Sequence, residues 1–150
     1  MREFDRPLQV YIVEDSTIIQ RLLASTVEAS GAVLIGQSAD AQDAIADLTA
    51  LRPDLILIDI GLKSGTGFDV LEALQTLDPR PSAIKVVLTN HASDHYRSLS
   101  FRMGANGFFD KGTETSQVLA LIGALAAEKR RRWSLGGVAQ QPGSENETRQ

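Results

Sequence analysis

Five side chains of this 150-residue sequence stand at the end of an apolar run, or directly after one, and could do chemistry together. Glu14 and Asp15 follow "LQVYIV" (8–13), Asp59 closes "DLILID" (54–59), Thr89 closes "IKVVLT" (84–89) and Lys111 follows "NGFFD" (106–110). If these runs are neighbouring strands, about 4.8 Å apart, the three carboxylates share one small volume. Two such charges 4 Å apart repel by about 4 kcal/mol at an effective dielectric of 20, a cost that a hard divalent cation relieves. Mg²⁺ takes oxygen ligands and is commonly held by one or two carboxylates plus phosphate oxygens. Gly61, two residues past Asp59, leaves its carbonyl free as another ligand. With Mg²⁺ and Lys111 neutralising a phosphoryl group, the Asp59 carboxylate can attack phosphorus and become an aspartyl-phosphate, to which Thr89 donates a hydrogen bond.

Taken singly, each residue has a plainer explanation. An acidic pair after a strand suits the start of a helix, Asp59 could be a turn residue, Thr89 could simply finish a strand, and a lysine is by default a solvated charge. The conjunction shifts the balance toward chemistry, because four strand ends carry a required residue type in the required order.

The elements that must position these groups alternate along the chain. Strand candidates are 8–13, 32–37 ("AVLIGQ"), 54–59, 84–89 and 106–110, most of them continuous apolar runs of the kind covered on both faces in a parallel sheet. Between them, Ile18, Ile19, Leu22, Leu23 and Val27 recur at helical spacing after Ser16, a candidate N-cap. Ala44, Leu48 and Leu51 form a second helix stopped before Pro53, and Val70, Leu74 and Leu77 a third stopped before Pro79. Tyr96, Leu99 and Met103 form a fourth ending at Gly104, and Val118 to Ala126 a fifth. Five βα units imply a doubly wound α/β fold: a five-stranded parallel sheet with five helices and right-handed crossovers. The order 2-1-3-4-5 sets strands 1 and 3 side by side at the switch point, where ligands bind beyond the strand carboxyl ends.

Composition bounds the function classes. A chain of this length forms one core, and 43% hydrophobic with 23% charged residues is a globular balance. The net charge of −4 argues against nucleic acid as a partner. No apolar stretch is long enough to span a membrane, and "MREFDRPLQ" lacks the apolar middle of a signal peptide. Zero Cys excludes disulfides and thiolate chemistry, so a cytoplasmic setting is expected. Neither G-x-G-x-x-G nor G-x-x-x-x-G-K-[ST] is present, which counts against a flavodoxin-like enzyme or nucleotide binder.

Over roughly residues 8–128 the sequence resembles the receiver domain of bacterial two-component response regulators. The resemblance is carried by "VEDS", "LILIDIGLKSGTGFDVL", "VVLTNHA" and "GANGFFDKG". It implies a flavodoxin-like receiver fold with Asp59 as phosphoacceptor, Asp15 and the Gly61 carbonyl as direct Mg²⁺ ligands, and Glu14 as an outer acidic partner acting through water. It also implies that Thr89 and Phe108 are the switch pair, the aromatic changing rotamer as the threonine moves toward the phosphoryl group. A sensor histidine kinase or phosphotransfer protein would supply the group, and a downstream protein would read the surface of helix 4, strand 5 and helix 5. Phe101, about 200° from Leu99 around helix 4, should face outward there beside Phe108.

Three departures from the family pattern stand out. Gly112 replaces the proline that often follows the strand-5 lysine, so a more mobile loop without a cis bond is expected. Asn90 and His91 follow Thr89, where small residues are common, and Gly61 offers no side chain to aim a hydrolytic water. A slowly hydrolysed phosphoryl group is the expectation. Residues 129–150 are expected to form a basic helix end, Lys129 to Arg132, then Trp133 as a cap resting on the domain and a disordered polar tail from Ser134. No output domain follows in this sequence, which suggests a stand-alone receiver. A shuttle that passes its phosphoryl group to a downstream histidine would use the same residues.

Overall fold

A computed structural model describes residues 6–139, with side chains described up to Arg132. Five strands, β1 (Gln9–Val13), β2 (Val33–Ser38), β3 (Leu55–Ile58), β4 (Ile84–Thr89) and β5 (Gly107–Asp110), all pair in parallel in the order β2-β1-β3-β4-β5. Each begins and ends within one residue of the apolar run that predicts it. The helices are α1 (Thr17–Ala29), α2 (Ala41–Ala50), α3 (Gly67–Thr76), α4 (Asp94–Arg102) and α5 (Thr115–Ala139).

The sheet separates two cores because strand residues alternate faces. Tyr11, Val13, Ile56, Ile58, Val87 and Phe108 face Ala44 and Leu48 of α2 and Val70, Leu71 and Leu74 of α3. On the other face Val10, Ile12, Leu55, Leu57, Val86 and Leu88 meet Leu23 and Val27 of α1 and Val118, Ile122 and Ala126 of α5. Burial on both faces is why the central strands read as unbroken apolar runs.

Local chemistry fixes the helix ends. Ser16 caps α1, its side chain accepting from the Ile19 N–H, and Asp40 and Ser93 do the same for α2 and α4. Thr66 and Asp69 exchange hydrogen bonds in a capping box that starts α3. Gly104 ends α4 at a φ of +99°, a left-handed conformation that favours glycine. A cis peptide bond joins Asp78 to Pro79 after α3; no other cis bond occurs among the described residues, so Lys111–Gly112 is trans, as expected.

The fifth helix differs from expectation. It runs on to Ala139, so Lys129–Arg132 lie within it rather than at its end. The Trp133 side chain and residues 140–150 lie outside the described residues, and with them the expected cap and most of the expected tail. Among the described residues no helix is long and apolar enough to cross a membrane.

Gly67, the first residue of α3, sits where a Cβ would collide with the Asp59 carbonyl oxygen and come within 2.9 Å of Ile58 Cγ2. Its lack of a side chain lets the helix start press against the end of β3 and fixes the backbone that aims Asp59. Gly67→Ala should therefore lower unfolding stability by roughly 1–3 kcal/mol, the cost typical of overpacking, as measured by urea denaturation. Unchanged stability would mean the contact relaxes freely.

Candidate functional site

Ladder register brings the chemical residues together. Val13 lies opposite Ile58, and the Asp59 N–H continues that ladder by donating to the Val13 carbonyl at 2.9 Å. The Glu14 N–H donates to the Ser38 carbonyl at 2.9 Å, and the Lys111 N–H to the Thr89 carbonyl at 3.0 Å. Glu14, Asp15, Asp59, Thr89 and Lys111 thus lie along the carboxyl rim of β1, β3, β4 and β5.

Oxygens of Glu14, Asp15 and Asp59 lie within 4.8 Å of one another. Glu14 is 2% exposed and Asp59 6%, whereas Asp15 reaches solvent. The Lys111 ammonium stands between the two buried carboxylates, 2.8 Å from Glu14 Oε1 and 2.8 Å from Asp59 Oδ2. Glu14 Oε2 also accepts from the Ser16 N–H at 2.9 Å, and the Gln20 side chain donates to the Glu14 carbonyl. Asp59 Oδ1 accepts a long hydrogen bond, 3.3 Å, from the Gly61 N–H.

Burial pushes the Glu14 carboxyl above its ordinary value, and the neighbouring Asp59 charge adds to that; Lys111 and the Ser16 N–H pull the other way without prevailing. For Lys111, burial works to lower the value, but hydrogen bonds to Asp59 and Glu14 and their charges outweigh it and hold the ammonium above its ordinary value. The site is therefore a clamp in which one cation serves two buried anions. A divalent cation fits this donor set: three carboxylates converge, and the single Lys111 ammonium offsets only part of their charge.

Thr89 is fully buried, and its Oγ1 accepts from the His91 N–H at 3.1 Å. The His91 imidazole lies over Gly61, its Nε2 3.1 Å from where a Cβ on Gly61 would stand. Gly61 and His91 are thus a matched pair, since a larger residue at position 61 would displace the ring.

The two expected surface aromatics are not placed alike. Phe101 on α4 is 44% exposed, as its angular position predicts. Phe108 instead turns inward, 4% exposed, with the Arg97 guanidinium carbon 4.9 Å from the ring centroid. It packs in the core on the α2–α3 face, so here the exposed aromatic surface consists of Phe101 without Phe108.

Three features escaped the sequence argument. Lys111 reaches Glu14 as well as Asp59, Gly67 braces Asp59 from behind, and Asp110 and Glu114 organise the loop after β5. The first had a usable signal: two carboxylates that must be buried need a cation, and Lys111 is the one at a strand end.

Known proteins share this arrangement of strands. The chain is 30% identical over 89 residues to protein-glutamate methylesterase/protein-glutamine glutaminase 1 of Rhizobium johnstonii, a match covering 59% of this chain and 26% of that protein. It is 26% identical over 121 residues to the DNA-binding transcriptional activator DevR/DosR of Mycobacterium tuberculosis, covering 78% of this chain and 55% of that one. The chain thus spans between about a quarter and about half the length of these relatives. A solved response regulator receiver domain protein (CheY-like) from Methanospirillum hungatei superposes with a TM-score of 0.70 at 25% identity, covering 84% of this chain and 98% of that one. The sequence model of the response regulator receiver domain matches residues 10–123, the span that holds every strand-end residue of the clamp, and the chain belongs to that family.

Proposed function

We propose that this chain is a phosphorylation-controlled binding module of two-component signalling. Asp59 takes a phosphoryl group from a histidine kinase or phosphotransfer protein, and a partner protein reads the resulting change in the surface formed by α4, β5 and α5. The observation that carries this reading is the Lys111 clamp on Glu14 and Asp59. A buried nucleophilic carboxylate is held beside a fixed ammonium, with an exposed third carboxylate, Asp15, at the mouth.

Asp15, Asp59 and the Gly61 carbonyl would hold Mg²⁺, with Glu14 behind them; when bound, the ion supplies charge neutralisation for the phosphoryl oxygens. An Asp59 carboxylate oxygen attacks phosphorus in line with the donor's leaving atom. The bond from phosphorus to that atom breaks, and the leaving group departs with its electron pair. Lys111 exchanges its contact with Asp59 Oδ2 for one with a phosphoryl oxygen. Thr89, whose hydroxyl oxygen now accepts from His91, turns its O–H onto the phosphoryl group. His91 over Gly61 narrows the approach from that side, consistent with slow hydrolysis. The inward Phe108 fits an on-like arrangement that is accessible before phosphorylation.

The test is incubation with Mg²⁺ and acetyl phosphate. One base-labile phosphoryl group should appear, on the peptide containing Asp59; absence of any such adduct would sink the reading. Asp15→Asn should weaken Mg²⁺ binding about tenfold or more, about 1.4 kcal/mol, because it removes one anion of the cluster while leaving the buried pair intact. Titration calorimetry reads this directly, and equal binding by both proteins would remove Asp15 from the ligand set. Its exposed position predicts little change in folding stability.

A further inference from the structure

The loop that carries Lys111 into α5 is latched by two carboxylates that the phosphoryl chemistry does not use. Asp110 Oδ1 accepts from the Gly112 N–H at 2.8 Å, and the Asp110 N–H donates to Glu114 Oε1 at 2.9 Å. The Asp110 carbonyl accepts from the Glu114 N–H at 2.7 Å. Lys111 lies inside this closed loop, its own carbonyl accepting from Thr115 Oγ1 at 2.8 Å. The N–H that Asp110 captures belongs to Gly112, and proline, the usual residue at that place in the resembling pattern, has no such donor. A loop expected to be mobile is therefore held by side chains.

Placement of the lysine backbone matters because its side chain has four rotatable bonds and about 2 kcal/mol of rotamer entropy to lose. An ammonium reaches two buried carboxylates at 2.8 Å only if its main chain stands at the right height above the rim. We propose that Asp110 and Glu114 are positioning residues that fix the Lys111 main chain so that its ammonium spans Glu14 and Asp59. The consequence for phosphorylation rests on Asp59 being the phosphoacceptor; the latch itself does not.

A simple capping role for α5 is carried by different atoms. The Gln117 and Val118 N–H groups both donate to the main-chain carbonyl of Glu114, whereas the Glu114 side chain points back to β5. Removing the two carboxyl groups leaves those main-chain bonds available.

The experiment uses the full chain with Asp110→Ala, Glu114→Ala, their double variant, and the acceptor-preserving Asp110→Asn and Glu114→Gln. In metal-free protein the Lys111 Cε and Hε resonances should move toward those of a solvated lysine in the alanine variants and remain native in the amide variants. With saturating Mg²⁺, the rate constant for labelling by acetyl phosphate should fall about tenfold or more in the alanine variants, the scale of a small misplacement at a reacting centre, and recover in the amides. Calorimetric Mg²⁺ affinity should not fall, since Asp15, Asp59 and Gly61 are untouched and a displaced ammonium leaves the cluster more negative. Where an alanine variant fails to fold, Glu114→Asp, acidic but one methylene short, should show the same loss of the Lys111 signals. Native Lys111 resonances in the double variant, or amides as defective as alanines, would overturn the latch. If the unsubstituted protein takes no phosphoryl group, the reading of Asp59 fails, and the metal-free resonances still decide the latch alone.

Discussion

Asp59→Asn should take up less than about a hundredth of the phosphoryl group that the unsubstituted protein accepts from acetyl phosphate, because an amide lacks the anionic oxygen that attacks phosphorus. The substitution is close to isosteric. The amide oxygen can still accept from the Gly61 N–H, and Lys111 keeps its contacts with both oxygens of Glu14, so the fold should survive. Loss of label would then report chemistry rather than unfolding. Intact-mass measurement with and without Mg²⁺, together with a far-ultraviolet spectrum, reads both. Labelling of the variant to the wild-type level would place the acceptor elsewhere and leave the clamp as a structural ion pair.

Lys111→Met should have the largest effect on stability. Removing one partner from a buried ion pair typically costs roughly 3–5 kcal/mol, since the abandoned charge stays in a poor solvent. Here two carboxylates are abandoned at once, at side-chain exposures of 2% and 7%. The loss should depend on pH. Glu14 is already raised in the folded protein, chiefly by burial, so the stability linked to its protonated form is fully present below its unfolded value near 4.5 and is lost as pH rises through the folded value. Lys111 is one of the groups that lower it, and without the ammonium that loss should deepen as pH rises above the unfolded value, so variant and wild type are compared at about pH 5 and about pH 8. Urea denaturation of metal-free protein should show the variant weakest at the alkaline end, and millimolar Mg²⁺ should restore part of the difference by supplying the missing positive charge. Equal stability of variant and wild type at both pH values would mean that the clamp contributes nothing to the fold.

Much of this architecture was legible in the sequence because both of its periods are strong. The central strands are buried on both faces and so appear as apolar runs, and Pro53 and Pro79 close helices whose buried positions recur every three or four residues. The rim was legible for the same reason: the end of an apolar run locates a strand's carboxyl end, and parallel strands bring those ends together. What was not legible depends on partners distant in the chain. Lys129–Arg132 read as a helix terminus when only local charge was weighed. In the structure Lys129 pairs with Asp54 before β3, and Arg130 donates to the Ser30 carbonyl at the end of α1, so the basic residues anchor the middle of a longer helix. The rotamer of Phe108 likewise depends on Arg97 and the α2–α3 core rather than on its neighbours in sequence. Gly67 was visible as a glycine, but its closeness to the Asp59 carbonyl arises only once α3 folds back over β3.

Lys111 leaves β5, an edge strand whose only ladder partner among the described residues is β4, and its ammonium passes over β4 to residues that follow β1 and β3. In mechanical terms it is a strut that ties the rim of the sheet to its centre, skipping the strand between. An edge strand held by one ladder and one strut has a simple load path. Any change of attachment at the central end of the strut bears first on Lys111 at the end of β5, three residues from the buried Phe108. The β4 loop, with its unusual Asn90 and His91, joins that path at the strand end, since the Lys111 N–H donates to the Thr89 carbonyl and Thr89 Oγ1 accepts from the His91 N–H.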